Sequence, residues 1–200
     1  MTLFLFFQIV VYLYGIMKYV IINIIHLLLK NFKGDLKIMT KESKTNAMRI
    51  LDSNKIEYTT HSYENKDGKI DGIAVAHKIN KDVDSVFKTL VSQGHSKEFY
   101  VFVIPVAKEL DMKKASKVTN EKNIELIHVK DINKITGYIR GGCSPLGMKK
   151  VFNTFIQEDA LLFETIIFSG GKIGAQIEMN PNDLKKVIGC SFVDIIKQYK

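Results

Sequence analysis

Residues 83–104 read VDSVFKTLVSQGHSKEFYVFVI. Val86, Phe87, Leu90 and Val91 surround Lys88 and Thr89, and this run predicts a strand over Val83–Val91. Gln93-Gly94 predicts a turn. Phe99–Ile104, wholly apolar or aromatic, predicts a buried strand directly after it. Lys88 is the charge inside this apolar context. A partly buried Lys pays for desolvation, so it either serves a chemical purpose or reaches solvent by its tip.

Towards the N-terminus, Thr45 is a candidate helix N-cap, with Ala47, Met48 and Leu51 at helical spacing and Asn54 as the stop. Ile56–Tyr63 alternates apolar and polar residues, as a strand does. Asp67-Gly68 marks a turn, and Ile70–Lys78 places Ile73, Ala74 and His77 on one helical face. Towards the C-terminus, Asp111 opens a helix to Val118. Ile124–Val129 reads as a strand and Asp131–Ile135 as a helical turn. Thr136–Gly147 holds four glycines and a proline in twelve residues, the composition of a structured loop. Ala160–Phe168 is rich in strand formers. Ser169-Gly170-Gly171-Lys172 turns into a strand at Ala175–Met179. Asn180-Pro181 caps a helix whose buried face is Leu184, Val187 and Ile188. Strands and helices mix irregularly, which argues for a mixed α/β (α+β) domain over 39–200 rather than a regular βαβ series.

Residues 1–38 differ in kind. Leu3–Leu29 is apolar except at Gln8, Lys18, Asn23 and His26, long enough to span a bilayer. Lys30, Lys33 and Lys37 follow, which would put that end in the cytoplasm. A membrane anchor is one reading. A start site chosen too early is another, because Met39-Thr40-Lys41-Glu42-Ser43-Lys44 resembles an ordinary soluble N-terminus. A cleavable signal peptide fits poorly, since neither a basic opening nor a small-residue cleavage site is present.

Composition narrows the function classes. With 46% hydrophobic and 25% charged residues, the chain is neither disordered nor fibrous. Two cysteines, Cys143 and Cys190, exclude a disulfide scaffold. No Cys/His cluster calls for zinc, and no metal or cofactor is expected. The net charge is +8, and removing the four Lys and one Asp of residues 1–38 leaves +5. Such a balance favours an acidic partner, nucleic acid or a membrane surface. Only Arg49 and Arg140 are Arg, so phosphate would meet point charges rather than bidentate forks.

Several residues are candidates for chemistry. Gly141-Gly142-Cys143-Ser144-Pro145 can present backbone N–H groups to a carbonyl oxygen or phosphate, or it can be a tight structural turn. Cys143 is a candidate nucleophile only if a base such as His61, His77, His95 or His128 reaches it; otherwise it is a passive thiol. Lys113-Lys114 and Lys149-Lys150 are solvated or touch phosphate. Phe99, Tyr100 and Phe102 are core at strand spacing.

Thr45-Asn46-Ala47, Tyr58–Tyr63, Val86–Leu90, Thr136-Gly137-Tyr138, Gly141–Lys150 and Ser169–Lys172 occur in this order, and as a set they resemble the YbaK/EbsC family of aminoacyl-tRNA deacylases, relatives of the editing domain of prolyl-tRNA synthetase. The resemblance spans Met39–Ile196. It implies a single domain around a strongly curved, mostly antiparallel or mixed sheet. It also implies removal of Cys mischarged onto tRNA(Pro), and of Cys from tRNA(Cys), with Cys-tRNA(Pro) as partner, prolyl-tRNA synthetase as a second partner, and a cytoplasmic location. A membrane enters only if residues 3–29 are an anchor. The family's functional lysine falls at Lys88 and its GxxxP loop at Gly141, Gly142, Cys143, Ser144 and Pro145. Substrate-binding positions fall at His61 or Tyr63, Thr89, Thr136, Gly170, Gly171 and Lys172. In the implied mechanism the cysteinyl thiolate attacks its own ester, and N–H groups around Gly142–Ser144 receive the oxyanion. A water-using deacylase for Ala-tRNA and a non-catalytic RNA- or synthetase-binding module are the alternatives.

Overall fold

The structure, a computed structural model, describes Met17 and residues 43–198. The chain separates into two units, Met1–Ser43 and Lys44–Lys200, and the second carries every element named below. Apart from Met17, the expectations for residues 1–38 lie outside the described residues. Among those described, no helix is long and apolar enough to cross a membrane.

Helix α1 (Asn46–Ser53) starts where Thr45 Oγ1 accepts the Met48 N–H at 3.3 Å, and it buries Ala47, Met48 and Leu51. Losing such a cap costs about 1 kcal/mol. Strand β1 is Thr59–Ser62, the C-terminal part of the expected run. Helix α2 (Gly72–Lys78) is capped by Asp71 and buries Val75 and Ala76. Ile73 lies on its outer side, 43% exposed.

The opening strand shifts. Asp82 Oδ1 accepts the Asp84 N–H and caps a 3-10 turn over Val83–Ser85, so β2 runs Phe87–Gly94. Gln93 and Gly94 therefore belong to the strand. The reversal is made by His95–Lys97, with Lys97 at φ 75 and the Lys97 N–H donating to the Gly94 carbonyl at 3.0 Å. Gly94 is small for another reason: a Cβ there would meet the Glu121 carboxylate. Strand β3 (Phe99–Pro105) is buried from Tyr100 onward. Asp111 caps α3 (Met112–Thr119), taking the Lys113 and Lys114 N–H groups. Then follow β4 (Ile124–Leu126), α4 (Ile132–Thr136), β5 (Asn153–Gln157), β6 (Ile166–Ser169), β7 (Ala175–Met179), α5 (Pro181–Ile188) and β8 (Ser191–Val193). The β-rich stretch begins as a 3-10 turn, Glu158–Leu162, and only its end is strand. Strands β5 and β8 fall on sequence without a clear periodic signal.

The sheets are β1-β7-β6, antiparallel throughout, and β4-β2-β3-β5-β8, mixed. In the second, β2 pairs antiparallel with β3 and β4, while β3–β5 and β5–β8 are parallel. A parallel bridge between Val86 and Ile167 joins the two sheets. The mixed α/β domain expected from the irregular element order is thus the architecture observed. The largest core cluster unites Leu51, Phe87, Val101, Leu146, Ile156, Phe168 and Ile177. A second, on the other face of β3, holds Phe102, Ile104, Leu110, Ala115 and Ile195. Each such side chain contributes about 1.5–3 kcal/mol by leaving water. A third cluster, Ala76, Val86, Val106 and Ile167, seats α2 over the junction of the sheets.

Candidate active site

The glycine loop is held by its own polar groups. Helix α4 ends at Gly137, which takes φ 86. Thr136, 1% exposed, donates its hydroxyl to the Ile132 carbonyl at 2.7 Å and accepts the Tyr138 N–H at 3.0 Å. Tyr138 then donates its hydroxyl to the Leu146 carbonyl at 2.6 Å, closing the loop on itself. Ser144, fully buried, accepts the Leu146 N–H at 3.3 Å. Asn46 on α1 donates to the Gly147 carbonyl at 3.1 Å. Gly147 has to be glycine: its φ is 70, and a Cβ would lie 2.7 Å from Asn46 Nδ2 and 3.0 Å from the Tyr138 oxygen. Asn46 and Tyr138 belong to the motifs that carry the family resemblance, but sequence reasoning gives neither a role. Both position the loop.

The β6–β7 hairpin lies against this loop. A Cβ at Gly142 would sit 3.2 Å from the Lys172 and Ile173 backbone, and one at Gly171, φ 97, would sit 3.1 Å from the Tyr138 ring. Gly170 donates its N–H to the Ala175 carbonyl at 2.9 Å, and Gly171 donates to Ser169 Oγ at 3.3 Å. Tyr63 donates its N–H to the Gly174 carbonyl at 2.9 Å. The structure therefore brings Tyr63, Thr136, the Gly141–Pro145 loop and Gly170–Lys172 together.

Thr89 and Lys88 leave β2 on opposite faces, as adjacent strand residues do. Thr89 shares its face with Phe87 and Val91, which pack in the same cluster as Leu146 and Cys143. Lys88 shares its face with Leu90, against the second cluster, and donates Nζ to the Val106 carbonyl at 2.9 Å. The structure joins Lys88 to Val106, not to the glycine loop. A short segment spans the two: a Cβ on Gly72 would collide with Val106, and one on Gly141 would lie 2.8 Å from Ile70 Cδ1. Ile70 and Gly72 are about 7 Å apart at most. Lys78 pins the preceding turn by donating to Asp67 at 2.6 Å and to the Glu64 and Lys69 carbonyls. The hydroxyls of Tyr63 and Thr89 are buried without a hydrogen-bond partner among the described residues. An unmet buried hydroxyl costs about 1–3 kcal/mol, and Ser92, further along β2, carries a third; a ligand reaching Tyr63 and Thr89 would supply the missing partner.

His61 stands apart. Its Nε2 meets Glu178 at 2.5 Å, and Glu178 also takes Lys81 at 2.9 Å and Thr165 at 2.8 Å. His61 is thus bound into a salt-bridged cluster on β1 and β7, a site that sequence reasoning missed because its members lie 97 and 117 residues apart. His77 is exposed. Among the described residues no group of three His, Cys, Asp or Glu side chains can hold a metal ion.

A family model described as the aminoacyl-tRNA editing domain matches residues 70–187, more than half of the chain. The chain belongs to that family. The Enterococcus faecalis protein named as the Cys-tRNA(Pro)/Cys-tRNA(Cys) deacylase EbsC is 40% identical over 154 residues, 77% of this chain and 94% of that one. A crystal structure described as a trans-editing enzyme for prolyl-tRNA synthetase superposes with a TM-score of 0.65 at 19% identity, covering 75% of this chain and 94% of that one. The crystal structure of a hypothetical protein gives 0.71 at 17%, covering 76% and 100%. These two share the fold.

The family match takes in Lys88, Thr89, the glycine loop and the β6–β7 hairpin, and it leaves His61 and Tyr63 before its start. Within the editing domain, burial pushes the Cys143 thiol up to about 11, against a smaller downward pull from Thr136. Burial likewise raises the Tyr138 hydroxyl to about 12. Both are neutral at pH 7, so the loop offers polarity without charge. Burial lowers Lys88, with Glu109 pulling the other way. Gly142 donates its N–H to the Ile139 carbonyl at 3.0 Å and so cannot serve an oxyanion. Of the three N–H groups expected there, those of Cys143 and Ser144 remain, as neither makes a backbone hydrogen bond among the described residues.

Proposed function

We propose that this chain is a trans-editing deacylase that removes Cys mischarged onto tRNA(Pro), and Cys from tRNA(Cys). The observation that carries the reading is the 40% identity, over almost the whole length of that relative, to a protein named for that activity, in a chain of the editing-domain family. An aminoacyl ester is already activated, so no covalent enzyme nucleophile is needed. The cysteinyl sulfur attacks its own ester carbonyl; a C–S bond forms, the C–O bond breaks, and the tRNA ribose oxygen leaves with a proton. The domain holds that geometry and receives the transient oxyanion.

We assign the oxyanion to the N–H groups of Cys143 and Ser144. Lys88 orients the terminal adenosine or the developing charge from the far side of Ile70–Gly72. Thr136 shapes the loop. Gly170, Gly171 and Lys172 form the wall opposite, and the hydroxyls of Tyr63 and Thr89 bind substrate. Of the two candidate positions near the first strand, Tyr63 fits better than His61, whose ring is committed to Glu178. We place the protein in the cytoplasm, where prolyl-tRNA synthetase makes the mischarged substrate and is the natural partner in a transient complex.

The test is deacylation of Cys-tRNA(Pro) and Ala-tRNA(Pro) by the full chain. Rapid loss of Cys with Ala retained supports thiol assistance. Equal rates on both would replace it with water attack, and tRNA binding without cleavage would make the domain a binding module.

A further inference from the structure

A cavity of about 600 Å³ opens at the opposite end of β2 from Lys88. Gly94, on its wall, is six residues from Lys88, about 20 Å along the strand. Its volume falls in the usual range for small-molecule sites. Two half-buried aromatic side chains form part of its lining, Phe99 and Phe152, edge to face with centroids 6.3 Å apart. Three lysines from three separate elements stand around them: Lys97 in the β2–β3 turn, Lys134 on α4, and Lys150 beyond the glycine loop. All three are exposed, and none of their ammonium groups is in an ion pair among the described residues. Glu125 and Asp131 also face the cavity, supplying carboxylate acceptors.

We propose that this cavity binds an unpaired nucleotide of the tRNA acceptor arm upstream of the aminoacylated end. The chemistry is complementary. A nucleobase stacks on the aromatic lining, which is sequence-tolerant. Its phosphates meet the lysines as point charges. An exocyclic amine donates to Glu125 or Asp131, as amine-bearing bases do to carboxylates. Lys88, the side chain assigned to the terminal adenosine, is about 20 Å away along β2, so the occupant is a nucleotide upstream of it. The site would let one grip on the strand serve any amino acid at its end. The inference rests on the editing reading for its substrate, but not on the bond being cleaved.

The experiment uses the full chain and the triple variant Lys97→Gln, Lys134→Gln, Lys150→Gln, with Phe152→Leu as a second, uncharged perturbation. Affinity for uncharged tRNA(Pro) is measured against salt, and deacylation is measured on Cys-tRNA(Pro) and on cysteinyl-adenosine. The expected result for the triple variant is tRNA affinity lower by tenfold or more, with a salt slope shallower by about 2. KM for Cys-tRNA(Pro) rises in proportion with kcat unchanged, and cysteinyl-adenosine is cleaved as before. Phe152→Leu loses roughly tenfold in tRNA affinity with the salt slope intact. Unaltered tRNA binding in both variants overturns the proposal, as does an equal loss on cysteinyl-adenosine or a wild-type chain that binds no tRNA. A wild-type chain that binds tRNA through these residues but leaves Cys-tRNA(Pro) intact keeps the nucleotide site and overturns the deacylase reading instead.

Discussion

Glu178 and Lys88 are both drawn part-way out of water, and the protein surrounds them differently. Burial raises the Glu178 carboxyl, but hydrogen bonds from Lys81, Thr165 and His61 outweigh it and hold the group at about 2. Its charge is met on every side. Lys88 is lowered by burial, its ammonium answered by one neutral carbonyl and, at longer range, by Glu109. Buried charge that is fully partnered fastens structure, here β1, β7 and the chain after α2. Buried charge left under-partnered is a reserve of electrostatic free energy that a negative ligand can release.

The largest effect expected from this difference is on activity. Lys88→Ala should lower kcat/KM for Cys-tRNA(Pro) by about 100-fold or more, the scale of losing a group that meets developing charge. Lys88→Met should be as inactive, yet melt no lower than the wild type, because a desolvated ammonium is removed from an apolar neighbourhood. A fully active Lys88→Ala would remove the lysine from the mechanism. A Lys88→Met protein that melts well below wild type would place Lys88 with Glu178 as a structural charge.

Gly147→Ala tests the loop that Tyr138, Ser144 and Asn46 close by hydrogen bonds. The substitution puts a side chain at φ 70 and within 3.1 Å of Asn46, Tyr138 and Ile50, at a cost of about 2–3 kcal/mol. Thermal unfolding should show this loss, with activity falling because the Cys143 and Ser144 N–H groups move with the loop. A stable, active Gly147→Ala would mean that the loop does not need its hydrogen-bonded closure. Glu178→Gln should be milder, about 1–2 kcal/mol at pH 7, since two of its partners reach solvent. Its pH dependence carries the signature. The folded carboxyl takes a proton only near 2, the unfolded one near 4.5. The stability it contributes is therefore whole above about pH 4.5 and is lost as pH falls towards 2. Denaturant melts between pH 7 and pH 3 should fall more steeply for wild type than for Glu178→Gln; parallel curves would break the contrast with Lys88.

How much of the molecule is legible in the sequence depends on how local the causes are. Thr45, Asp111 and Asn180 each cap a helix through a bond to a backbone N–H two or three residues away, so the residues themselves announce the element. The Thr136–Gly147 loop is legible because its glycines are needed by its own backbone. By contrast, β5 is not, because its parallel pairing to β3 and β8 is made by distant partners, and Gln157 is buried only because its side chain accepts the Ile195 N–H at 2.8 Å. Asp82 moves the start of β2 by capping a turn within an apolar run that reads as strand. The opposite facing of Lys88 and Thr89 follows from strand parity, but which face meets the glycine loop depends on the curvature of two sheets. Glu178 and its three donors cannot be assembled from spacing at all.

Cys143 supplies a third way of treating a buried group, and the smallest expected effect. Its thiol is pushed up to about 11 by burial, so at pH 7 it is protonated, and protonation spares it the need for the partners that Glu178 collects. A thiol in that state is a poor nucleophile, and three of the candidate bases are placed elsewhere: His61 is held by Glu178, and His95 and His128 line the cavity at the other end of β2. Cys143→Ser should therefore deacylate Cys-tRNA(Pro) within about twofold of wild type, because the backbone N–H at that position is kept. Alkylation of Cys143 by iodoacetamide should be slow at pH 7 and accelerate only as pH climbs towards 11. If the serine variant folded normally but lost activity by about 100-fold, the sulfur that attacks the ester would have to be the enzyme's own. The two thiols near the carbonyl would then exchange roles, and the N–H groups beside Cys143 would serve an acyl-enzyme rather than the substrate's own cyclisation.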